Sequence, residues 1–212
     1  MFIAGVVIED NDEEKLRSIG VKDSKLLTPQ TRAKLFTLIC MYAHSIIVSR
    51  VPPKVIDRSN LNNLFIKAVN NIIESVFINL MLRDVREIVI DATSGSTKLI
   101  KEVRRLLHKL GVSNVDLIVE NKADLKYTVV SAASIVAKYL RDSHINVLHE
   151  VYGDFGSGYP SDPKTRGWLS RLNVNEIPPI VRRSWSTLKK LGIGYISKEQ
   201  TLLRWARSSK EN

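Results

Sequence analysis

The sequence is poor in cysteine and in long hydrophobic runs, and each absence excludes a class of protein. Cys40 is the one cysteine among 212 residues, which excludes an internal disulfide and any zinc site built from cysteines. Because Cys40 lies in the apolar run 38–41, we expect it to be buried as a small hydrophobic residue. No segment approaches the roughly 18 consecutive apolar residues that a membrane-spanning helix needs.

The apolar run at the start of the chain has the pattern of a β-strand and not of a signal peptide. Residues 2–8 have no basic segment ahead of them, and the acidic run 9–14 follows directly. We therefore expect an unsecreted, cytoplasmic protein. A strand that is apolar on both faces needs neighbours on both edges, so its place at the very first residues is unusual.

Basic residues outnumber acidic ones by a wide margin. The 32 Lys and Arg residues against 22 Asp and Glu residues give a net charge of +10. Such a surplus commonly serves binding to a polyanion, and nucleic acid is the first candidate, although solubility alone is the alternative explanation. The segment 182–210 is strongly basic and is predicted to be a helical extension that lies near a nucleic-acid backbone or is simply solvated.

Hydrophobic periodicity predicts an α/β protein. Strands are expected at 2–8, 45–51, 87–91 and 115–120, and helices at 28–41, 60–80, 96–110 and 128–151. A polar loop is expected between the first strand and the first helix, and a loop rich in Gly and Pro over 152–163. The strand–helix–strand unit from 87 to 120 predicts two parallel strands with a right-handed crossover.

Two carboxylates follow the ends of those parallel strands. Asp91 ends one strand, and Asp124 lies in the turn that leaves the other. Because ligands of open α/β sheets gather beyond the carboxyl ends of the strands, the two acids can face one another. Hard oxygen ligands on a basic protein suit Mg²⁺ or Mn²⁺, whereas the alternative is a pair of solvated loop acids.

Two further features suggest contact with a ligand. Ser131, Ser134, Lys138 and Asp142 share one face of the 128–151 helix beside small alanines, which suits either phosphate contact or close packing on a sheet. Tyr159 lies in a Gly-rich loop, where it can stack on a sugar or base or can pack within its own loop.

Several strings of residues resemble ribonuclease HII in its archaeal form, and the resemblance extends from residue 2 to about 191. They are IGVKDSK at 19–25, NKAD at 121–124, VSAASIVAK at 130–138, YGDFGSGYPSDP at 152–163 and PPIVRRSW at 178–185. The resemblance implies an RNase H-like mixed sheet flanked by helices. It divides the chain into a catalytic domain at 1–170 and a basic C-terminal helical extension at 171–212.

The resemblance also implies an activity and its residues. The family hydrolyses the RNA strand of RNA–DNA hybrids and cuts at single ribonucleotides in duplex DNA, with two divalent ions held by carboxylates. By position, Asp91 and Asp124 match metal-binding catalytic acids, and Tyr159 matches the tyrosine that senses the ribonucleotide. Lys25, Lys122, Ser131 and Ser134 are the expected backbone contacts, and the protein is expected to be a monomer that binds no membrane.

The sequence departs from the family in one major way. The family opens with a strand leading into Asp-Glu-Ala-Gly-Arg-Gly, whereas residues 1–6 here correspond to the family's second strand. The first, central strand and two carboxylates are thus absent from this chain, which predicts weaker metal binding and an incomplete sheet. One explanation is that Met1 is an internal methionine of a longer enzyme. The alternatives are a relative that binds hybrids without cutting them and a fragment that does not fold.

Overall fold

The computed structural model describes residues 1–21, 27–82, 84–92, 96–173 and 177–193, and it has the α/β architecture that the sequence predicts. The strands are β1 (Phe2–Val7), β2 (Ser45–Arg50), β3 (Glu87–Asp91) and β4 (Asp116–Glu120). The helices are α1 (Asp10–Ser18), α2 (Pro29–Tyr42), α3 (Pro53–Ile56), α4 (Leu61–Glu74), α5 (Ser96–Lys109), α6 (Thr128–Tyr152), α7 (Pro163–Leu169) and α8 (Ser186–Lys190). A π-helical segment spans Ser75–Asn79 and a 3-10 helix spans Ala123–Leu125.

Local capping explains where the predicted helices begin. The hydroxyl oxygen of Thr28 accepts a hydrogen bond from the N–H of Thr31 at 3.1 Å, and Pro29 occupies the first turn of α2. The side chain of Asn60 accepts from the N–H groups of Asn62 and Asn63 at the start of α4. The expected helix over 60–80 is confirmed to Glu74, after which the backbone continues as the π-helical segment.

The strands form two separate pairs. β1 and β2 are antiparallel, with Phe2 opposite Arg50, and β3 and β4 are parallel, with Asp91 opposite Glu120. The predicted parallel strand–helix–strand unit is therefore confirmed. Within the described residues neither pair is hydrogen-bonded to the other, so a mixed set of strands is present without one continuous sheet.

Helices cover both faces of the strands. One apolar cluster joins α4, α5 and β3, and Val7 and Ile47 pack against it from β1 and β2. A second cluster joins α1, α2 and α6, and Ala4 and Val6 pack against it from the opposite face of β1. Since successive side chains of a strand point to opposite faces, β1 lies between two helical layers, as its two-sided apolar sequence predicts.

A cavity of about 1190 Å³ lies along β1 and β3. All residues of both strands line it, whereas β2 contributes Ile47 alone and β4 contributes none. Apolar side chains of α4 and small side chains of α6 complete its walls.

The prediction of a polar loop after the first strand is wrong over residues 10–18, which form α1. Acidic residues occupy the first turn of this helix, and Lys15 and Arg17 occupy its last turn. Both sets of charges interact favourably with the helix dipole. Of its residues, Leu16 alone is buried. One buried residue gives little hydrophobic periodicity, and for that reason the pattern did not reveal the helix.

The expectation that Cys40 is buried is also wrong, because its side chain is exposed. Helix α2 buries Leu35 and Ile39 on one face. Cys40 follows Ile39 by one residue, a rotation of about 100° around the helix, and this turns it away from the buried face.

The chain divides into two compact units, Met1–Val51 with Ser59–His144, and Pro52–Arg58 with Ile145–Asn212. In the second unit the carboxylate of Asp57 accepts the N–H groups of Arg183 and Ser184 at 2.7 and 3.0 Å. This contact ties α3 to the segment 178–185. The division at residue 170 and the helical nature of the basic tail stay predictions, since most of that tail lies outside the described residues.

Across the described ranges, no helix combines the length and the hydrophobicity that crossing a membrane requires.

Candidate active site

Asp91 is the last residue of β3, at the carboxyl end of the parallel pair. Its Oδ1 atom accepts a hydrogen bond from the backbone N–H of Ala123 at 3.4 Å. Ala123 immediately precedes Asp124 and opens the 3-10 helix that follows β4. The structure therefore brings the strand end that carries Asp91 into direct contact with the turn that carries Asp124, as the strand–helix–strand unit predicts.

The turn after β4 buries Asp124. Lys122 adopts the left-handed conformation, with φ 60° and ψ 36°, and this reverses the chain direction immediately before the 3-10 helix. Asp124 is 3% exposed, whereas Lys122 stays on the surface. A carboxylate buried to this extent requires compensating charge or hydrogen bonds, and a bound cation is one way to supply them.

Glu120 is a third acid near this site, and the sequence did not single it out. It lies opposite Asp91 in the register of the parallel pair. Its two carboxylate oxygens accept hydrogen bonds from Lys126 and, at 2.9 Å, from the Tyr127 hydroxyl. The bond from Lys126, and then that from Tyr127, hold the pKa of Glu120 below its usual value. Glu120 is thus engaged by its neighbours, and the assignment of Asp91 and Asp124 as the cation ligands stays a prediction.

The donor set fits a divalent cation in one particular way. Among the residues that the structure describes, no three or more His, Cys, Asp or Glu side chains are grouped to hold a metal ion. Mg²⁺, however, is often held by one or two carboxylates, with water and substrate phosphates completing the octahedron, and Mn²⁺ accepts the same hard oxygen ligands. Asp91 and Asp124 fit that mode, and a binding site made of protein atoms alone is not present in these residues.

The serines of α6 differ in their exposure. Ser131 is 1% exposed, and its Oγ atom has no hydrogen-bond partner among the described residues. Ser134 is half-buried and lines the cavity along β1 and β3. The burial of Ser131 agrees with close packing of α6, which was one of the two interpretations of this face. A direct contact of Ser131 with a nucleic acid stays a prediction.

The loop that carries Tyr159 belongs to the second unit and is held by internal hydrogen bonds. Oδ2 of Asp162 accepts the N–H of Ser157 at 2.6 Å and its hydroxyl at 2.7 Å. The hydroxyl oxygen of Thr165 accepts the N–H of Gly158 at 3.0 Å and donates to the carbonyl of Phe155 at 2.9 Å. These bonds fix the loop on both sides of the Gly156–Gly158 segment.

Hydrogen bonds to the Asp162 carboxylate and a glycine in the left-handed region favour the observed conformation of this loop. The backbone N–H and the hydroxyl of Ser157 hold the pKa of Asp162 well below its usual range. Gly156 has φ of +75°, and a Cβ atom there would lie 2.5 Å from Oδ2 of Asp162. Tyr159, at the tip, is 51% exposed. A fixed loop therefore presents an accessible aromatic ring.

Lys25, the remaining predicted contact, lies outside the described residues.

Comparison with known proteins decides the family. The family model described as Ribonuclease HII matches residues 1–188. The chain belongs to the ribonuclease HII family. Ribonuclease HII of Sulfurisphaera tokodaii is 43% identical over 197 residues, which are 92% of this chain and 89% of that relative.

Solved structures of ribonucleases HII share the fold. Ribonuclease H2 from Pyrococcus horikoshii OT3 is 35% identical, with a TM-score of 0.72 over 90% of this chain and 97% of that one. The ribonuclease HII in the PCNA:RNase HII complex from Archaeoglobus fulgidus is 33% identical, with a TM-score of 0.74 over 90% of this chain and 88% of that one. The predicted RNase H-like fold is therefore confirmed. The roles of Asp91, Asp124, Lys122 and Tyr159 in this chain stay predictions.

Proposed function

We propose that this chain cuts the RNA strand of RNA–DNA hybrids endonucleolytically and cuts at single ribonucleotides embedded in duplex DNA. Membership of the ribonuclease HII family supports the substrate class. The net charge of +10 supports a polyanionic substrate. The observation that carries the proposal is the contact between the Asp91 carboxylate and the turn that buries Asp124.

Asp91 and Asp124 are the residues that would hold divalent cations, Mg²⁺ or Mn²⁺, against a substrate phosphate. Two such ions supply activation of a water molecule and stabilisation of the leaving 3′-oxygen. The protein contributes fixed positions for the acids, since Asp91 is held by the N–H of Ala123 and Asp124 is buried in the 3-10 helix.

The other predicted contacts have distinct tasks. Lys122 is exposed at the head of the turn, where its ammonium group can neutralise a backbone phosphate. The exposed ring of Tyr159 can stack on a sugar or base while its hydroxyl reads the 2′-hydroxyl that distinguishes RNA from DNA. Ser134 and Lys25 are proposed as further backbone contacts, and Ser131 would act through the packing of α6.

The test is cleavage of labelled duplex DNA that holds one ribonucleotide, with Mg²⁺ and separately with Mn²⁺. Asp91→Asn keeps the size and hydrogen-bonding capacity of the side chain but removes its charge. Asp116→Asn is the matched control, because Asp116 is an exposed acid at the opposite end of the same strand pair. Cleavage 5′ to the ribonucleotide that is lost in Asp91→Asn and kept in Asp116→Asn supports the proposal. Equal cleavage by both variants contradicts it.

A second candidate function is binding of hybrids without cleavage. It is favoured by the small number of available acids, since Glu120 is engaged by Lys126 and Tyr127. A protein of this kind binds hybrid with an affinity that falls steeply with salt, and it releases no product with either ion. Binding and cleavage measured on the same sample therefore separate the two functions.

A further inference from the structure

A histidine of α6 contacts the loop that carries Tyr159. His149 lies in the last turn of α6, and its Nε2 atom is 2.9 Å from the carbonyl oxygen of Gly156. A backbone carbonyl oxygen only accepts hydrogen bonds, so Nε2 carries the proton and donates it. His149, Gly156 and Tyr159 all belong to the second unit. A hydrogen bond therefore joins the helix to the loop shortly before Tyr159.

Packing fixes the ring of His149. It meets the ring of Phe155 edge-on, with the ring centroids 4.5 Å apart and the planes at 76°. Phe155 is buried, and its ring packs in turn against the ring of Trp168 at 5.4 Å. The imidazole is thus held in place before it bonds to Gly156, and a preorganised donor loses little side-chain freedom when the bond forms.

The bonded carbonyl belongs to a peptide group that is held at both ends. The oxygen of the peptide group between Gly156 and Ser157 accepts from His149, and its N–H donates to Oδ2 of Asp162 at 2.6 Å. Rotation of this peptide group breaks both bonds at once. Because Gly156 has no Cβ atom, the rotation meets less steric resistance here than at most residues. The bond from His149 therefore opposes a rotation that the loop would otherwise make easily.

The preceding peptide group is held independently of His149. The N–H of Gly156 donates to Oδ1 of Asp154 at 2.9 Å, and Oδ2 of Asp154 accepts from Lys164. Nε2 of His149 lies 3.8 Å from Oδ1 of Asp154, which is too long for a hydrogen bond. Loss of the His149 donor thus leaves the entrance of the loop anchored and releases one peptide group.

We propose that His149 is a positioning residue for ribonucleotide recognition, because it holds the Gly156–Ser157 peptide group and so keeps the loop in the conformation that presents Tyr159. His149 has this task only if Tyr159 reads the 2′-hydroxyl, so the proposal rests on the proposed function. When the peptide group rotates, a smaller fraction of chains is ready to bind a ribonucleotide, and the affinity falls by that fraction. Duplex DNA without a ribonucleotide offers no 2′-hydroxyl, and its affinity falls less.

The experiment compares two amide variants of the full chain. The amide nitrogen of glutamine lies about as far from the backbone as Nε2 of histidine, whereas that of asparagine lies where Nδ1 does. His149→Gln therefore keeps the donor to Gly156, and His149→Asn loses it. Both amides are uncharged, so an ion pair with Asp154 is lost equally in the two variants. His108→Asn is the matched control, because His108 is an exposed histidine in the last turn of α5.

Two quantities are measured without divalent cations, so that no substrate is cut. NMR hydrogen exchange reports how often the N–H of Ser157 opens, and competition binding compares duplexes with and without one ribonucleotide. In His149→Asn we expect exchange of Ser157 to be about fivefold faster, the effect of losing one hydrogen bond of ordinary strength. Its discrimination for the ribonucleotide is expected to fall by at most the same factor. His149→Gln and His108→Asn are expected to match the original chain in both quantities.

The Tyr159→Phe background separates positioning from general damage to the loop. If His149 acts through the hydroxyl of Tyr159, adding His149→Asn to Tyr159→Phe changes discrimination no further, while exchange of Ser157 still rises about fivefold. A further fall in discrimination in the double variant would mean that His149 acts by another route, and it would overturn the proposal.

Three other outcomes also overturn the proposal. They are unchanged exchange of Ser157 in His149→Asn, faster exchange with unchanged discrimination, and a His149→Gln variant that behaves like His149→Asn. In each of these the original chain still discriminates, so the proposed function stands. If the original chain itself does not discriminate, the reading of the 2′-hydroxyl by Tyr159 fails, and the positioning role of His149 fails with it.

Discussion

Replacing Thr165 with valine is expected to loosen the loop that presents Tyr159. Thr165 is 2% exposed, and its hydroxyl joins the N–H of Gly158 to the carbonyl of Phe155. Valine keeps the shape but removes both of these bonds and the longer contact, at 3.3 Å, from the hydroxyl to Oδ2 of Asp162. The carbonyl of buried Phe155 then lacks a partner at a cost of about 1–3 kcal/mol, and half-buried Gly158 adds about 1 kcal/mol. The added methyl group offsets up to about 1 kcal/mol, so the net loss lies between about 1 and about 4 kcal/mol and is centred near about 2.5 kcal/mol.

Thr165→Ser is the matched control, because it keeps the hydroxyl and removes one buried methyl group, at a cost of about 1 kcal/mol. Urea unfolding measures the loss of stability for both variants, and NMR exchange of the Gly158 N–H measures the loosening of the loop. The valine variant is expected to be less stable and to lose the protection of Gly158, which the serine variant retains. The reasoning would be refuted if the serine and valine variants were equally stable, or if the exchange rate of the Gly158 N–H were unchanged in the valine variant.

Three further predictions concern the loop and strand β1. Since the bonds from Ser157 lower the folded pKa of Asp162, Asp162 stabilises the protein above its unfolded pKa of about 3.9, and this contribution is lost as the pH falls toward the folded value. The melting temperature of Asp162→Asn is therefore expected to fall less than that of the original chain between about pH 5 and about pH 2, and parallel curves would contradict this. Tyr159→Phe is expected to keep hybrid affinity and to lose discrimination between a ribonucleotide and a deoxyribonucleotide, whereas Tyr159→Ala is expected to lose both. Competition binding measures the affinity and the discrimination of each variant. Full discrimination by the phenylalanine variant would exclude the hydroxyl contact. Gly5→Ala places a Cβ atom 2.5 Å from Cγ2 of Ile72. Urea unfolding is expected to show that the free energy of unfolding falls by about 1–3 kcal/mol, with the smaller loss if the Ile72 side chain turns into the cavity. A gain in stability would show that this contact is not tight.

Much of the fold could be predicted from capping residues and apolar spacing. Thr28 with Pro29, and Asn60 with the periodic residues after it, specify α2 and α4 without reference to the rest of the chain. Helix α1 could not be predicted in this way, since Leu16 alone is buried in it and its stability rests on charge placement at its ends. Apolar spacing also continues past Glu74, so it did not distinguish the π-helical segment from an α-helix.

In the candidate site, the proximity of Asp91 to the turn that carries Asp124 could be predicted from the sequence, whereas the contacts of Glu120 could not. Parallel neighbours bring the ends of β3 and β4 together, and this alone places Asp91 near the turn with Asp124. The engagement of Glu120 depends on the left-handed conformation of Lys122, which directs the following turn so that Lys126 and Tyr127 reach back to the strand. A non-glycine residue in that conformation leaves no clear signal in the sequence.

The gap between β1 and β3 shows which properties of a sheet a sequence encodes and which it does not. Side-chain alternation assigns residues to faces, and for that reason the two-sided apolar character of residues 2–8 was visible in the sequence. The edge to which a backbone N–H points depends instead on the register with the partner strand, here set by the bond between Met1 and Val51.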